Sequence, residues 1–185
     1  MGILDLLFGK RPEVSSSNFP VLIPKLSLEL EVIREQFLFG WVTALKGEDA
    51  PISGISPILQ KGSELDAALK AYQLTCIVGF AWNYMAFGDR LPFDEALTQR
   101  LDDGDVNTIK SYREHYLDCQ GNIELLSTSL AEDIYRMWGN PQPSFKFKRA
   151  LGNAAITLGI ISQATAARTF GDIKAERKLK SKLRI

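Results

Sequence analysis

The feature that most constrains the fold is one apolar stripe between residues 109 and 137. Its members follow one another at spacings of three or four residues: Ile109, Tyr112, Tyr116, Cys119, Ile123, Leu126, Leu130, Ile134 and Met137. This is the period of one face of an α-helix. The stretch from Asp105 to Trp138 therefore predicts a single long helix, with a bend near Gly121.

Three further long helices are predicted in the same way, at 25–47, 63–88 and 144–170. A short helix is predicted at 92–101, with Pro92 at its first position, where proline is well tolerated. Each apolar stripe must be covered by another element. We therefore predict an all-α fold, an antiparallel bundle of four long helices with short additional helices at the N-terminus, around 92–101 and in the C-terminal tail.

Composition indicates one globular domain with two distinctive ends. The chain has 185 residues, 45% of them hydrophobic and 24% charged, which is enough to bury a core and excludes wholesale disorder or a disulfide-stapled mini-protein. We divide it into an apolar N-terminal segment with a Ser-rich linker (1–20), the bundle (21–171) and a basic tail (172–185). The first residues do not have the order of a secretory signal, so we expect a cytoplasmic protein, with peripheral membrane contact as an alternative.

The zero net charge conceals an uneven distribution. Residues 1–143 carry a net charge of −8 and residues 144–185 one of +8. The tail cations are Lys174, Arg177, Lys178, Lys180, Lys182 and Arg184. As a helix, the tail would place Leu179 and Leu183 on one side and the cations elsewhere, which suits an anionic membrane surface or an acidic surface of the same protein. Nucleic acid is not favoured, because no base-reading element accompanies the cations.

The N-terminal segment is also amphipathic. Its apolar residues Ile3, Leu4, Leu7 and Phe8 share one helical face and precede Lys10 and Arg11. Such a segment lies in a membrane interface, in a partner's groove, or against its own domain or a second subunit.

Two stretches, 37–42 and 76–82, are apolar on every helical face, so each must be packed against other elements on all sides. We predict an interaction surface on these stretches and the residues beside them: Phe37, Phe39, Trp41, Phe80, Trp82 and Tyr84. A homodimer is the first choice, and terminal segments or an aromatic-lined ligand cavity are the alternatives. The uncharged stretches 71–88 and 150–167 contain several polar residues, which favours core helices over membrane spans.

Chemical motifs are few. The chain has one histidine, His115, and two cysteines, Cys76 and Cys119, which are 43 positions apart, so we expect two buried free thiols and no zinc cluster. No cofactor fingerprint occurs, and we predict no cofactor.

One acidic stretch, 103–114, resembles an EF-hand calcium loop at positions 1, 3, 5, 9 and 12. The candidate calcium ligands are Asp103, Asp105, Asn107, Ser111 and Glu114. Thr108 stands where the loop requires glycine, and Lys110 adds a positive charge, so the alternative is that these acids only begin a helix.

We therefore expect binding rather than catalysis. The leading hypothesis is a homodimeric protein–protein interaction or scaffold module with an unidentified protein partner. The alternatives are a peripheral membrane protein that uses both chain ends, and a helical bundle that binds a small ligand.

Overall fold

The computed structural model of the chain describes residues 12–45, 62–101, 106–119, 122–138 and 145–183. Within these ranges the chain is helical and contains no strand, which confirms the all-α prediction. The helices are α1 (Phe19–Leu45), α2 (Glu64–Ala81), α3 (Phe87–Leu101), α4 (Val106–Leu117), α5 (Ile123–Trp138), α6 (Phe145–Thr169) and α7 (Ile173–Ser181), with 3-10 turns at Ser16–Asn18 and Trp82–Tyr84. The N-terminal segment 1–11, with its predicted short helix, lies outside the described residues.

Helix α2 is the centre of the fold. Every residue from Leu65 to Val78 is buried, and α4, α5 and α6 all pack against this helix. The all-round cover that the sequence requires for Cys76, Ile77 and Val78 therefore comes from the chain itself.

The single long helix predicted from Asp105 to Trp138 is wrong, because the chain forms two helices there, α4 and α5. Asn122 begins α5, since its Oδ1 accepts the backbone N–H groups of Glu124 and Leu125 at 2.9 and 3.3 Å. An asparagine at this position satisfies N–H groups that an uninterrupted helix would bond internally. The apolar stripe continues across the break because both helices face the same core.

The second predicted helix is shorter than expected. It begins as predicted, with the Ser63 side chain accepting the N–H of Asp66, but it ends at Ala81 rather than at Gly88. The side-chain amide of Asn83 donates to the carbonyls of Gly79 and Phe80, which satisfies the last turn of α2.

The helices predicted to begin at Pro92 and at residue 25, just after Pro24, both begin earlier, so each proline is an interior residue. Pro92 lies in α3, which begins at Phe87, and Pro24 lies in α1, which begins at Phe19. Each proline is the sixth residue of its helix. The interior positions leave one carbonyl of the preceding turn without its helical donor, and in α3 this carbonyl belongs to the exposed Gly88.

The last long helix ends as predicted. Helix α6 stops at Thr169, and Gly171 adopts a φ of +86°, a left-handed conformation that favours glycine. The chain then enters α7, which packs back against α6 through Leu179. The predicted tail helix is therefore present, and the domain boundary at residue 172 stays a prediction.

Candidate functional site

The structure brings the N-terminal linker and the start of α7 together at Tyr84. The Tyr84 carbonyl accepts the N–H of Val14 at 2.9 Å, and the Tyr84 hydroxyl donates to Asp172 Oδ2 at 3.0 Å. A Cβ built on Gly171 would lie 3.9 Å from Cγ of Pro12. The N-terminal segment therefore joins the described fold beside the start of the basic tail helix, although about 160 residues of sequence separate the two.

A further hydrogen bond, from the backbone to a side chain, holds the N-terminal linker against α3. The N–H of Ser16 donates to Asp89 Oδ1 at 3.1 Å, in the first turn of α3. Val14 is buried, so the linker is part of the packed fold from this residue onward.

Helix α7 carries the predicted tail cations on its exposed side. Asp172 caps the helix by accepting the N–H of Ala175 at 2.9 Å, and Leu179 packs on Ile160, Ala164 and Ala167. The side chains of Lys174, Arg177, Lys178, Lys180 and Lys182 are exposed, whereas Arg184 lies outside the described residues. The acid of this helix, Glu176, is buried and paired with Lys180 at 2.7 Å. The outer face of α7 is therefore strongly cationic.

Large apolar side chains are exposed near the same junction. They are Trp82 (38% exposed), Phe87 (86%), Leu91 (63%) and Ile173 (46%). The guanidinium carbon of Arg90 lies 5.7 Å from the Trp82 ring centroid and 5.8 Å from the Phe87 ring centroid. Leu91 follows Phe87 by one helical turn, so the two share a face of α3. We call Trp82, Phe87, Arg90 and Leu91 the aromatic patch.

A series of contacting rings packs around the 3-10 turn that carries Trp82. Phe19, Phe93, Phe170, Tyr84 and Phe80 contact one another in that order, with ring centroids 5.3–6.0 Å apart. These contacts hold the 3-10 turn that carries Trp82 against α1, α3 and the end of α6. The turn is therefore fixed by packing on both sides.

The predicted interaction surface divides into different environments. Tyr84 is buried at the junction, Phe37 and Phe80 are half-buried against the core, and Trp82 is exposed. The side chains of Phe39 and Trp41 lie outside the described part of the chain. The structure therefore brings Phe80, Trp82 and Tyr84 to one end of α2, and only Trp82 of these presents a large exposed surface.

The candidate calcium ligands are only partly described. Asp103 and Asp105 lie outside the described residues, while Asn107, Ser111 and Glu114 belong to regular helix in α4. Among the residues that the structure describes, no group of three or more His, Cys, Asp or Glu side chains is arranged to hold a metal ion. The calcium site stays a prediction.

Two of these residues face an open cleft of about 700 Å³. Its lining comprises Glu64, Asn107, Thr108, Ser111, Tyr112, His115 and Arg136. The Tyr112 hydroxyl donates to Glu64 at 2.7 Å, and His115 Nε2 lies 3.9 Å from Asp133 Oδ2. The cleft contacts His115, whereas Trp82 and Tyr84 are not part of it, and the ligand-binding hypothesis stays a prediction.

A buried charged cluster joins α1 to α2. Arg34 Nε donates to Asp66 Oδ1 at 2.6 Å, and Lys70 Nζ lies 3.3 Å from Asp66 Oδ2. Burial by itself would raise the pKa of Asp66, but the Gly62 N–H and the charges of Arg34 and Lys70 hold it below its usual value. All three charged side chains are at least 95% buried, so the cluster is a structural element of the core rather than an accessible site.

The two cysteines are buried free thiols, as the sequence indicates. Burial raises the pKa of the Cys76 thiol to about 12, so this thiol is not a ready nucleophile. Cys119 is buried beside Ser129, with 3.7 Å between sulfur and hydroxyl oxygen, whereas the His115 side chain is more than half exposed. We find no nucleophile–base pair in the geometry of these three residues.

Several residues of the junction escape sequence reasoning. No sequence signal links Asp172 to Tyr84, since a hydrogen bond across 88 positions leaves no local pattern. Phe87 escapes notice because the predicted helix 63–88 continues past the break at Ala81 and includes it, and Leu91 lies between the predicted helices 63–88 and 92–101. The Asn83 amide, two residues after Ala81, was the available signal for that break.

Comparison with protein-family models, curated protein sequences and solved structures found no match. By length and composition alone, one helix of the described chain, α6, is apolar enough to cross a membrane, with a mean hydropathy of 1.2 over 18 residues. More than half of that window, 56%, is buried inside the fold, as in the core helix of a globular protein.

Proposed function

We propose that this protein binds peripherally to anionic membrane surfaces through its N-terminal segment and its basic tail helix acting together. One observation carries the proposal: Pro12 and Gly171 are neighbours, so the residue that follows the apolar segment 1–11 lies beside the start of the cationic helix α7. A single weak anchor gives marginal membrane affinity, and two adjacent anchors reinforce each other.

The orientation of α7 supports this use of the cations. Its apolar residue Leu179 already packs on α6, so the helix does not need a membrane to cover it. Its exposed lysines and arginine remain available to phospholipid headgroups, each contributing about 1 kcal/mol near an anionic surface. Two acids, Glu13 and Asp89, belong to the N-terminal linker and to the first turn of α3, and Asp89 accepts the N–H of Ser16. Cytoplasmic membrane faces carry the anionic lipids that such a helix attracts.

The test is co-flotation of the full chain with phosphatidylcholine vesicles, prepared with and without phosphatidylserine. We expect binding only with phosphatidylserine, and weaker binding as salt is added, because the attraction is electrostatic. The triple variant Lys174→Gln, Arg177→Gln, Lys178→Gln should bind roughly 100-fold more weakly.

A matched control loses the same charges elsewhere. Lys110, Lys148 and Arg149 are exposed on α4 and α6, and their replacement by Gln removes two lysines and one arginine as well. This variant should float with the vesicles nearly as well as the wild type. Equal losses of vesicle affinity for both variants would mean that only the net charge matters and not its position on α7. No flotation of the wild type at low salt would refute the proposal.

A second candidate function, self-association or binding of a protein partner, is favoured by the outer face of α1. Val21, Leu28 and Val32 follow one another at spacings of seven and four and are all exposed. An antiparallel bundle of the long helices is part of this candidate. Arg34 bonds Asp66, and Leu30, earlier in α1, bonds Gln73, later in α2, so the two helices run in opposite directions. Light scattering of the wild type and of Leu28→Lys tests it: a dimer that Leu28→Lys dissociates is the expected result, and a wild-type monomer contradicts it.

A further inference from the structure

The aromatic patch contains the most exposed large apolar side chain of the described residues, Phe87, and a second one, Leu91, on the same face of α3. Trp82 joins them through Arg90, whose guanidinium lies over both rings. Trp82, Phe87 and Leu91 do not belong to the buried core, and exposed apolar side chains that lie together mark an interaction site.

The turn that carries Trp82 is held in place by Tyr84. Tyr84, two residues after Trp82, holds the N-terminal linker through its carbonyl and the cap of α7 through its hydroxyl. The ring contacts of Tyr84 with Phe80 and Phe170 fix the 3-10 turn. A surface that is already ordered loses little conformational entropy when it binds.

The surroundings of the patch point to one occupant. The turn that carries Trp82 also carries Tyr84, which binds Asp172 at the start of the cationic helix α7, and Ile173, the first residue of that helix, is exposed. Segment 1–11 ends in Lys10 and Arg11 and joins the described fold at the same junction. Apolar side chains next to a cationic surface are complementary to an anionic bilayer, in which phosphates lie above the acyl boundary.

We propose that Trp82, Phe87 and Leu91 enter the acyl boundary of an anionic bilayer while Arg90 binds a lipid phosphate at their side. The inference rests on the proposed membrane function and adds the inserting side chains to it. Tryptophan prefers the interface because its ring is amphipathic, and a guanidinium presents several donors to a phosphate while it stacks on aromatic rings.

Trp82 reports on its own position in a chain that carries Trp41→Phe and Trp138→Phe. With phosphatidylserine vesicles whose acyl chains are brominated, we expect the Trp82 emission to shift to shorter wavelength and to be quenched. The double variant Phe87→Ser, Leu91→Ser should bind the same vesicles at least about tenfold more weakly, because two apolar side chains no longer leave water.

The chain supplies a matched control. Phe145 and Leu125 are exposed to 80% and 55%, and they lie in the first turns of α6 and α5. The variant Phe145→Ser, Leu125→Ser removes the same side-chain types and should keep wild-type vesicle affinity. Circular dichroism and the Tm of each variant, measured without lipid, should match the wild type, since all four side chains are exposed.

The outcomes separate the two proposals. If the wild type does not bind phosphatidylserine vesicles, the proposed function fails. If it binds but Trp82 is not quenched, or Phe87→Ser, Leu91→Ser binds like the wild type, only the insertion is refuted. A lower Tm of Phe87→Ser, Leu91→Ser without lipid, reversed on deletion of residues 2–11, would mean that the N-terminal segment covers the patch, which also overturns the insertion.

Discussion

The Tyr84 hydroxyl donates a 3.0 Å hydrogen bond to Asp172 Oδ2, and the other oxygen of the same carboxylate caps α7 by accepting the N–H of Ala175. One aspartate therefore satisfies the first turn of the basic helix and ties it to the turn that follows α2. Because the Tyr84 carbonyl also holds Val14, the position of α7 and that of the N-terminal linker depend on the same residue.

We expect Tyr84→Phe to weaken the attachment of α7. Loss of a hydrogen bond to a charged group costs about 1.5–3 kcal/mol, and the partial exposure of Asp172 places the effect near the lower end. Hydrogen exchange should show faster exchange of the α7 amides than in the wild type. Tyr135→Phe is the control, since the buried Tyr135 hydroxyl has no hydrogen-bond partner among the described residues. Unchanged exchange in α7 of Tyr84→Phe would contradict the prediction.

Replacement of Asp66 should destabilise the core strongly. Asp66→Asn leaves Arg34 and Lys70 buried without their carboxylate, and breaking such a pair costs about 3–5 kcal/mol. Denaturant unfolding measures this loss. Glu29→Gln removes the more exposed ion pair with Arg168 and should cost less than about 1 kcal/mol. Similar losses of the free energy of unfolding for both variants would mean that the buried cluster stabilises the protein no more than the exposed ion pair does.

Asp66 should also make stability depend on acid pH. Its folded pKa is lower than that of an unfolded aspartate, which is near 3.9, so the unfolded state binds the proton more readily. The contribution of Asp66 to the free energy of unfolding is complete above the unfolded pKa and is lost as the pH falls through the folded pKa. The free energy of unfolding of the wild type should therefore fall more steeply than that of Asp66→Asn as the pH drops below about 4. Parallel curves would exclude Asp66 as a source of acid sensitivity.

Gly159 is the place where α6 approaches α2 most tightly among the described glycines. A Cβ there would lie 2.7 Å from the Tyr72 hydroxyl oxygen and 3.2 Å from the Cys76 sulfur. The Tyr72 hydroxyl is held by the Ala155 carbonyl at 2.6 Å and by Ser127 at 2.9 Å, so it cannot retreat. Gly159→Ala should cost about 1–3 kcal/mol in denaturant unfolding.

The control for Gly159 lies in the same helix. A Cβ on Gly152 meets nothing within 4 Å, so Gly152→Ala should stabilise the protein by about 0.5–1 kcal/mol through helix propensity alone. If Gly159→Ala is stabilising as well, the packing between α2 and α6 is looser than described.

Cys76 should be inert in the folded protein. It is completely buried in α2, and burial raises its pKa to about 12, so neither access nor thiolate formation favours reaction. In a Cys119→Ser background, an aromatic disulfide reagent at pH 8 should label no thiol until denaturant unfolds the chain, and then one. Rapid labelling under native conditions would contradict the burial of this residue.

The sequence predicts helices well where the local signals agree. Ser63 opens α2 as expected, and α6 ends before Gly171, because a cap side chain and a left-handed glycine act within a few residues of themselves. The continuous stripe from Ile109 to Met137 misled the prediction, because an apolar period shows only which residues face the core and not whether the backbone between them is continuous. Asn122 supplies the missing signal.

By itself, the sequence determined the all-α class, the opening of α2 at Ser63, the end of α6, the amphipathic tail and the two buried thiols, since each follows from periodicity, capping or composition. The tertiary structure alone decided that α2 is the centre, that one predicted helix is two, and that Pro12, Tyr84 and Asp172 meet at one junction. The physical reason is distance along the chain. Capping and periodicity act over a few residues, whereas the junction depends on contacts between residues at least 70 positions apart, which no local pattern records.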